Sequence, residues 1–218
     1  MAQLFIKQAK QYSVGRPSYP QELFNFIASK TLSHDLAWDV GTGAAKLPNL
    51  QATKHKIPMH FLSMSMAELQ DNIGSESSFD LVTIAQAMHW FDLPTFYQQV
   101  KWVLKKPNGV IAAWCYTVPE VNPTVDSLFN RFYTIDAVDG LEHNGPFRFS
   151  SEKVMDLESY FTYLRSWSAY QTAKEKGVEL LTENVLEDFK RAWNEDGKFQ
   201  KTVSFPIYLR IGKVGASS

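Results

Sequence analysis

Cysteine is almost missing from this chain: Cys115 is the single one in 218 residues. That excludes an internal disulfide and any multi-cysteine metal cluster. Excess charge of either sign is missing too, with 22 Lys and Arg against 23 Asp and Glu and a formal net charge of −1. Neither a nucleic-acid groove nor an anionic membrane surface finds electrostatic support in such a balance. No stretch approaches the ~18 to 20 consecutive apolar residues of a membrane span. The opening "MAQLFIKQAKQY" carries two lysines and no long apolar run, so no signal peptide is expected there and a cytoplasmic location follows. Internal repeats, low-complexity runs and a convincing linker are all absent. What is present is a core: 44% of residues are apolar and 14% aromatic. One globular domain over residues 1–218 is the expectation, as a monomer or weak homodimer.

Hydrophobic patterning supplies the elements. "RPSYPQELFNFIASK" begins as a stiff extended segment and turns helical, with Leu23, Phe24, Ile27 and Ala28 on one face. "DLAWDV" reads as a short buried strand running into Gly41-Thr42-Gly43. "IPMHFL" has the make-up of a short strand. "SMAELQDNIG" reads as a short helix, with Ser65 and Glu68 at capping-box spacing and Gly74 at its end. "FDLVTIAQA" is β-branched and apolar, as a strand buried on both faces should be. "DLPTFYQQVKWVLKK" reads as a helix: Asp92 is placed to cap it, Pro94 suits the first turn, and Phe96, Val100, Val103 and Leu104 form a stripe. After "PNG", "VIAAWCY" reads as a second buried strand, which makes a right-handed parallel crossover. "SEKVMDLESYFTYLRSWSAYQTAKEKG" carries a long helical pattern, and "LLTENVLEDFKRAWNEDG" another. "KTVSFPIYLRIGKVG" alternates like a strand, and Pro206 argues for an edge position.

Asp39-Val40-Gly41-Thr42-Gly43 has the form of a nucleotide-cofactor loop, in which glycines after a strand let backbone N–H groups approach a ligand. A helix should follow, and about 20 residues later an acidic residue to grip ribose hydroxyls. Here Pro48 stops any helix begun at Gly43 within about a turn. No Asp or Glu lies between Asp39 and Glu68. Alone, two glycines after a strand are more often a plain tight turn.

"FDLVTIAQAMHWFDLPTFYQQVKWVLKKPNGVIAAWCY" resembles the class I S-adenosylmethionine-dependent methyltransferases, in particular the small-molecule type 11 group with its trans-aconitate methyltransferase-like and plant members. "QAKQYSVGRPSYPQELF", "LAWDVGTG" and "YLRSWSAYQTAKEKGVELL" are similar to that group as well. "QAMHWFD" and "RPSYP" are the most specific blocks. The resemblance implies an α/β Rossmann-like fold with strand order 3-2-1-4-5-7-6, a mostly parallel sheet with flanking helices and an antiparallel C-terminal edge strand. Within one domain it implies an N-terminal lid and helix at 1–30, a cofactor-binding core at 36–116, a helical substrate region at 117–200 and a C-terminal strand at 201–218. It also implies methyl transfer from S-adenosylmethionine, with S-adenosylhomocysteine as product, to a small acceptor bearing a carboxylate or hydroxyl. Asp39, Gly41, Thr42, Gly43, Gln86 and Ala87 would then border the cofactor, with His89 and Trp90 facing the transfer region. Tyr12, Arg16 and Tyr19 would belong to the lid. Two departures stand out. The chain jumps from Gly43–Ala45 to a point beyond the next helix and strand, and it is contracted near Ile135–Leu141. Either the protein lacks these pieces, as an exon-skipped product would, or the sequence omits residues that the molecule has.

Each residue has a plainer reading beside the functional one. His89 orients a substrate carboxylate, acts as a base, or simply begins a loop. Transfer from an already activated sulfonium to a carboxylate needs positioning more than proton movement. Arg16 holds an anionic acceptor, or it pairs with a carboxylate such as Asp39 or anchors the lid. Tyr12 and Tyr19 suit packing better than catalysis. Trp38, Trp102, Trp114, Trp167 and Trp193 read as packing residues. His55, His60 and His89 have no ligand spacing, so no metal is expected. Cys115 is expected to be buried and inert. A non-catalytic scaffold that has lost its cofactor is the competing reading. A nicotinamide-dependent oxidoreductase comes third, since "QAMHWFD" and "RPSYP" have no role there.

Overall fold

The structure is a computed structural model that describes residues 16–41, 55–57, 75–132 and 146–215. Its centre is a six-stranded sheet: β1 (Ala37–Val40), β2 (His55–Ile57), β3 (Leu81–Ala85), β4 (Val110–Tyr116), β5 (Phe147–Asp156) and β6 (Gln200–Lys213), in the order β2-β1-β3-β4-β6-β5. The first four strands in that order pair in parallel and the last two antiparallel. This is the order implied by the resemblance, read from its second position onward; the outermost position has no counterpart among the described residues. The helix expected at Ser65–Gly74 and both contractions, after Gly43 and at Ile135–Leu141, lie outside the described residues.

The β3–helix–β4 crossover forms as its pattern predicts. Helix α2 (Leu93–Val103), after α1 (Gln21–Lys30), places Phe96, Gln99, Val100 and Val103 inward. They close over Trp38, Val40, Val82 and Ile84 on one face of the sheet. Asp92 begins α2 without capping a backbone N–H through its side chain. It accepts instead from Thr95 Oγ1 at 2.5 Å. On the other face α1 buries Leu23, Phe24 and Ile27 against Leu81, Ala112, Trp114 and Leu209. Ala28, expected on that buried stripe, is exposed, and Phe26 is half-buried.

At the end of the sheet where the parallel strands begin, Asp80 ties three segments together. Its carboxylate accepts from the backbone N–H groups of Asp35 and Leu36 at 3.1 and 3.0 Å. It also pairs with Lys105 at 2.8 Å. Burial pushes the Asp80 pKa up, but the Lys105 ammonium and the Leu36 N–H together outweigh it and hold the carboxyl below its ordinary value.

The last third departs from its periodicity. "SEKVMD", expected to be helical, completes β5; only from Leu157 does the chain turn into α4 (Leu157–Arg165), followed by α5 (Ser168–Glu175). The reason is local and tertiary together. Ser151 and Met155 are buried while Glu152 and Val154 are exposed, a period-two pattern, and all ten β5 residues pair with β6. Asp156 then caps α4 by accepting from the Ser159 N–H at 2.7 Å. With α3 (Pro123–Phe132) and α6 (Glu183–Asn194), these helices enclose a second core around Tyr160, Tyr163, Phe189, Trp193 and Phe205.

The C-terminal strand is antiparallel, as expected, but it is the inner member of the antiparallel pair, and β5 lies outermost. Pro206 is therefore not at an edge. Its carbonyl accepts from Thr117 N–H at 2.9 Å, just past the last residue of β4. Its missing N–H thus faces the point where the neighbouring ladder has ended, so no ladder bond is lost.

Candidate active site

Parallel pairing brings the carboxyl ends of β1, β3 and β4 to one edge of the sheet, with Val40 opposite Ile84 and Ile84 opposite Ala113. Asp39, 1% exposed, accepts from Thr83 Oγ1 at 2.8 Å across the β1–β3 ladder. Gly41 follows with φ +74°, where a side chain would be strained. A Cβ there would also sit 2.5 Å from the Ala87 Cβ and 3.4 Å from the Phe91 ring. The turn after β1 and the turn after β3 are therefore in contact, and glycine is what permits it.

Gln86 turns the chain at φ +55°. Its N–H donates to Trp114 O at 3.0 Å and its side-chain Nε2 to Tyr116 O at 2.9 Å, which ties the end of β3 to the end of β4. Ala87 is buried, and Met88–Trp90 form one 3-10 turn that leads through Asp92 into α2. His89 is exposed at the rim of this turn, yet partial desolvation by its neighbours pushes its pKa below the ordinary histidine value. Its imidazole is accordingly neutral at pH 7, able to accept or donate a hydrogen bond. Trp90 ends the same turn; its side chain lies outside what is described.

Among the described residues Arg16 is paired with Tyr116 and Ser166, not with Asp39. Its guanidinium donates to the Tyr116 hydroxyl at 2.5 Å and to Ser166 O at 3.2 Å. It lies 5.8 and 5.9 Å from the ring centres of Tyr116 and Tyr163. Tyr19 meets Trp114 edge-on at 5.5 Å. The Arg16–Pro20 segment is thus bolted to the carboxyl end of β4 and to the helices that follow. Tyr12, Thr42 and Gly43 lie outside the described residues. Asp39, Gly41, Gln86, Ala87 and His89 are brought to one edge, and Arg16 and Tyr19 reach that edge through Tyr116.

Beside this edge opens a cleft of about 720 Å³, walled by Gln86–His89 and floored by Ile84, Ala113, Cys115, Tyr208 and Arg210. Cys115, expected to be buried, is exposed there. The apolar walls nonetheless push its thiol pKa up. Burial of Cys115 would require cover on both faces of "VIAAWCY". In the fold α1 covers Ala112 and Trp114, while the odd-numbered face is open beyond Ala113. Tyr116, Tyr208 and Arg210 are further site residues that the sequence did not single out. The alternation in "YLR" is legible there, but which face it opens onto depends on the pairing of β6 with β4.

No family model matches the chain. It is 25% identical to a candidate methyltransferase of Dictyostelium discoideum over 244 residues, which covers 94% of this chain and 92% of that protein. That alignment is longer than the chain's own 218 residues, so it includes positions where this chain has no residue. Among solved structures it is similar to a candidate type II methyltransferase from Anaeromyxobacter dehalogenans, with a TM-score of 0.70 and 23% identity over 93% of this chain and 99% of that one. The fold is the Rossmann-like methyltransferase fold, a mixed sheet with flanking helices.

Proposed function

We propose that the chain is an S-adenosylmethionine-dependent methyltransferase of the type 11, trans-aconitate methyltransferase-like kind, acting on a small acceptor through a carboxylate or hydroxyl oxygen. The observation that carries this reading is the contact between Gly41 and Ala87 at the carboxyl edge of the sheet. Two turns with little side-chain bulk meet there, the arrangement in which a doubly wound sheet receives a nucleotide-bearing cofactor. The printed descriptions of the relatives in Dictyostelium and Anaeromyxobacter point the same way. The residues present fit the group: Gly41 leaves the end of β1 bare of side chain, Ala87 adds only a methyl, and buried Asp39 supplies a carboxylate directly beneath.

S-adenosylmethionine, when bound, supplies a methyl group activated by its sulfonium. In this reading Asp39, Gly41 and Ala87 hold it, together with Thr42 and Gly43. Gln86, fixed by its bond to Tyr116 O, keeps the two strand ends at a constant spacing. His89 and Trp90 flank the acceptor, and the neutral imidazole orients the attacking oxygen without carrying charge into the site. The activated donor makes alignment the main demand on the protein. Arg16, with Tyr19 and Tyr12, fastens the N-terminal segment as a lid that excludes water.

The chain is contracted after Gly43 in this reading, and the greater length of the Dictyostelium alignment supports it. The missing acidic residue between Asp39 and Glu68 favours the second reading, a methyltransferase-like scaffold without cofactor. Calorimetry with S-adenosylhomocysteine separates the two. Saturable binding in the micromolar range is expected, and silence leaves the scaffold. Intact mass settles the contraction: a mass above that of 218 residues shows that the missing pieces exist.

A further inference from the structure

The cleft beside Gln86–His89 has one cation on its floor and, among the described residues that line it, no carboxylate. The sheet register explains how the cation gets there. Ile84, Ala113 and Arg210 form one row across β3, β4 and β6. Cys115, Tyr208 and Arg148 form the next row. Alternation along β6 puts Tyr208 and Arg210 on one face, while Ile207 and Leu209 point into the core under α1. The β5 ladder stops at Phe147 opposite Leu209, so Arg210 stands one step beyond the end of β5.

Arg210 is exposed, so its stem lies along the apolar floor while its guanidinium stays in water, open to an anionic partner. Arg148 is already engaged by Glu120 at 4.0 Å, Arg165 by Glu158 at 2.9 Å, and Arg191 by Asp188. Among the described residues no carboxylate pairs with Arg210. Its neighbours on the open face, Ala113 and Cys115, are small, which leaves room above it. Arg210 lies roughly 10 Å, two strand spacings, from Ile84 and the wall that begins at Gln86.

We propose that Arg210 anchors an anionic group of the methyl acceptor. The cleft then takes an amphipathic anion whose apolar body crosses Ala113 and Ile84 and whose reacting atom lies by Ala87–His89. This rests on the methyltransferase reading for the word acceptor, but the anion site itself does not. Tyr208, beside Arg210 on the same face, offers a hydroxyl to the same anion, and Thr117 lines the same cleft.

Cys115, the single cysteine, sits diagonally from Arg210 on adjacent strands and reports on this site directly. The test compares alkylation of Cys115 by iodoacetate, an anion, and by iodoacetamide, its neutral counterpart, at low ionic strength and without cofactor. The iodoacetate-to-iodoacetamide rate ratio should be about fivefold higher in the wild type than in Arg210→Gln. Arg210→Lys should retain most of that preference, and added salt should abolish it. Sodium hexanoate should slow modification by iodoacetamide, and hexanol at the same concentration should not. Equal ratios in wild type and Arg210→Gln, or equal protection by hexanoate and hexanol, overturn the proposal. Calorimetry with S-adenosylhomocysteine on the same preparation distinguishes failure of the anion site from failure of the enzyme reading. Cofactor binding without anion preference sinks only this inference, and anion preference without cofactor binding sinks only the enzyme.

Discussion

Replacing Gly41 by alanine tests the meeting of the two turns most sharply, because two penalties of known origin fall on one methyl. The first is conformational. At φ +74° an L-residue is disfavoured by about 1–2 kcal/mol. The second is steric: the new Cβ would lie 2.5 Å from Ala87 Cβ and 3.4 Å from the Phe91 ring. Ala87 is 4% exposed and cannot step aside into solvent, so overpacking adds about 1–3 kcal/mol. Gly41→Ala should therefore cost about 2–5 kcal/mol, measured by urea denaturation, and S-adenosylhomocysteine affinity should fall with it. The two penalties separate in a double-mutant cycle. Ala87→Gly alone should cost about 1–2 kcal/mol, from one lost buried methyl and a freer backbone. Combined with Gly41→Ala it removes the 2.5 Å contact but not the φ strain. The double variant should then be more stable than the sum of the singles by about 1–3 kcal/mol. Additivity to within about 0.5 kcal/mol would refute the claim that the turns touch.

Three further outcomes follow from the same geometry. Asp80→Asn should lower stability by about 1–3 kcal/mol in chemical denaturation, because Lys105 loses its nearer, buried charged partner and keeps only exposed Asp35 at 3.7 Å, while the Asp35 and Leu36 N–H groups keep an acceptor; a change below about 0.5 kcal/mol would show that the latch carries no weight. Arg16→Ala should cost about 1.5–3 kcal/mol, since hydrogen bonds to Tyr116 and Ser166 and two ring contacts go together. Limited proteolysis should then cut first near the Arg16–Pro20 segment, and cleavage unchanged from wild type argues against the anchor. The pKa of His89 is depressed in the fold, so its contribution is fully present above the unfolded value near 6.5 and is lost as pH falls through the folded value. The wild type should therefore lose stability relative to His89→Gln as the pH falls below 6.5, and parallel curves would show that His89 does not titrate in this way.

How much of this is legible in the sequence depends on where the information resides. Local pattern suffices for β3, α2 and β4: "FDLVTIAQA", "DLPTFYQQVKWVLKK" and "VIAAWCY" carry their period and stop signals within a dozen residues, and the elements form as read. The glycine turn, the "QAMHWFD" block and the anchoring side of Arg16's two readings are likewise visible as residues. Three matters were decided only by tertiary structure. "SEKVMD" became a strand because β6 offers it a ten-residue ladder, and a short segment with mixed periodicity follows its partner. Arg16 chose Tyr116 and Ser166 over Asp39 because those partners lie 100 and 150 residues away in the chain, beyond the reach of any local rule. The Cys115, Tyr208 and Arg210 cleft exists because α1 covers one face of β4 and β6 and leaves the other open, and which face of a strand is covered is a property of its neighbours. Sequence alone determined β3, α2 and β4 and where the turn after β3 falls, since sterics and hydrophobic periodicity act within a few residues. Assembly decided which side chains share a site, since register across strands sets that.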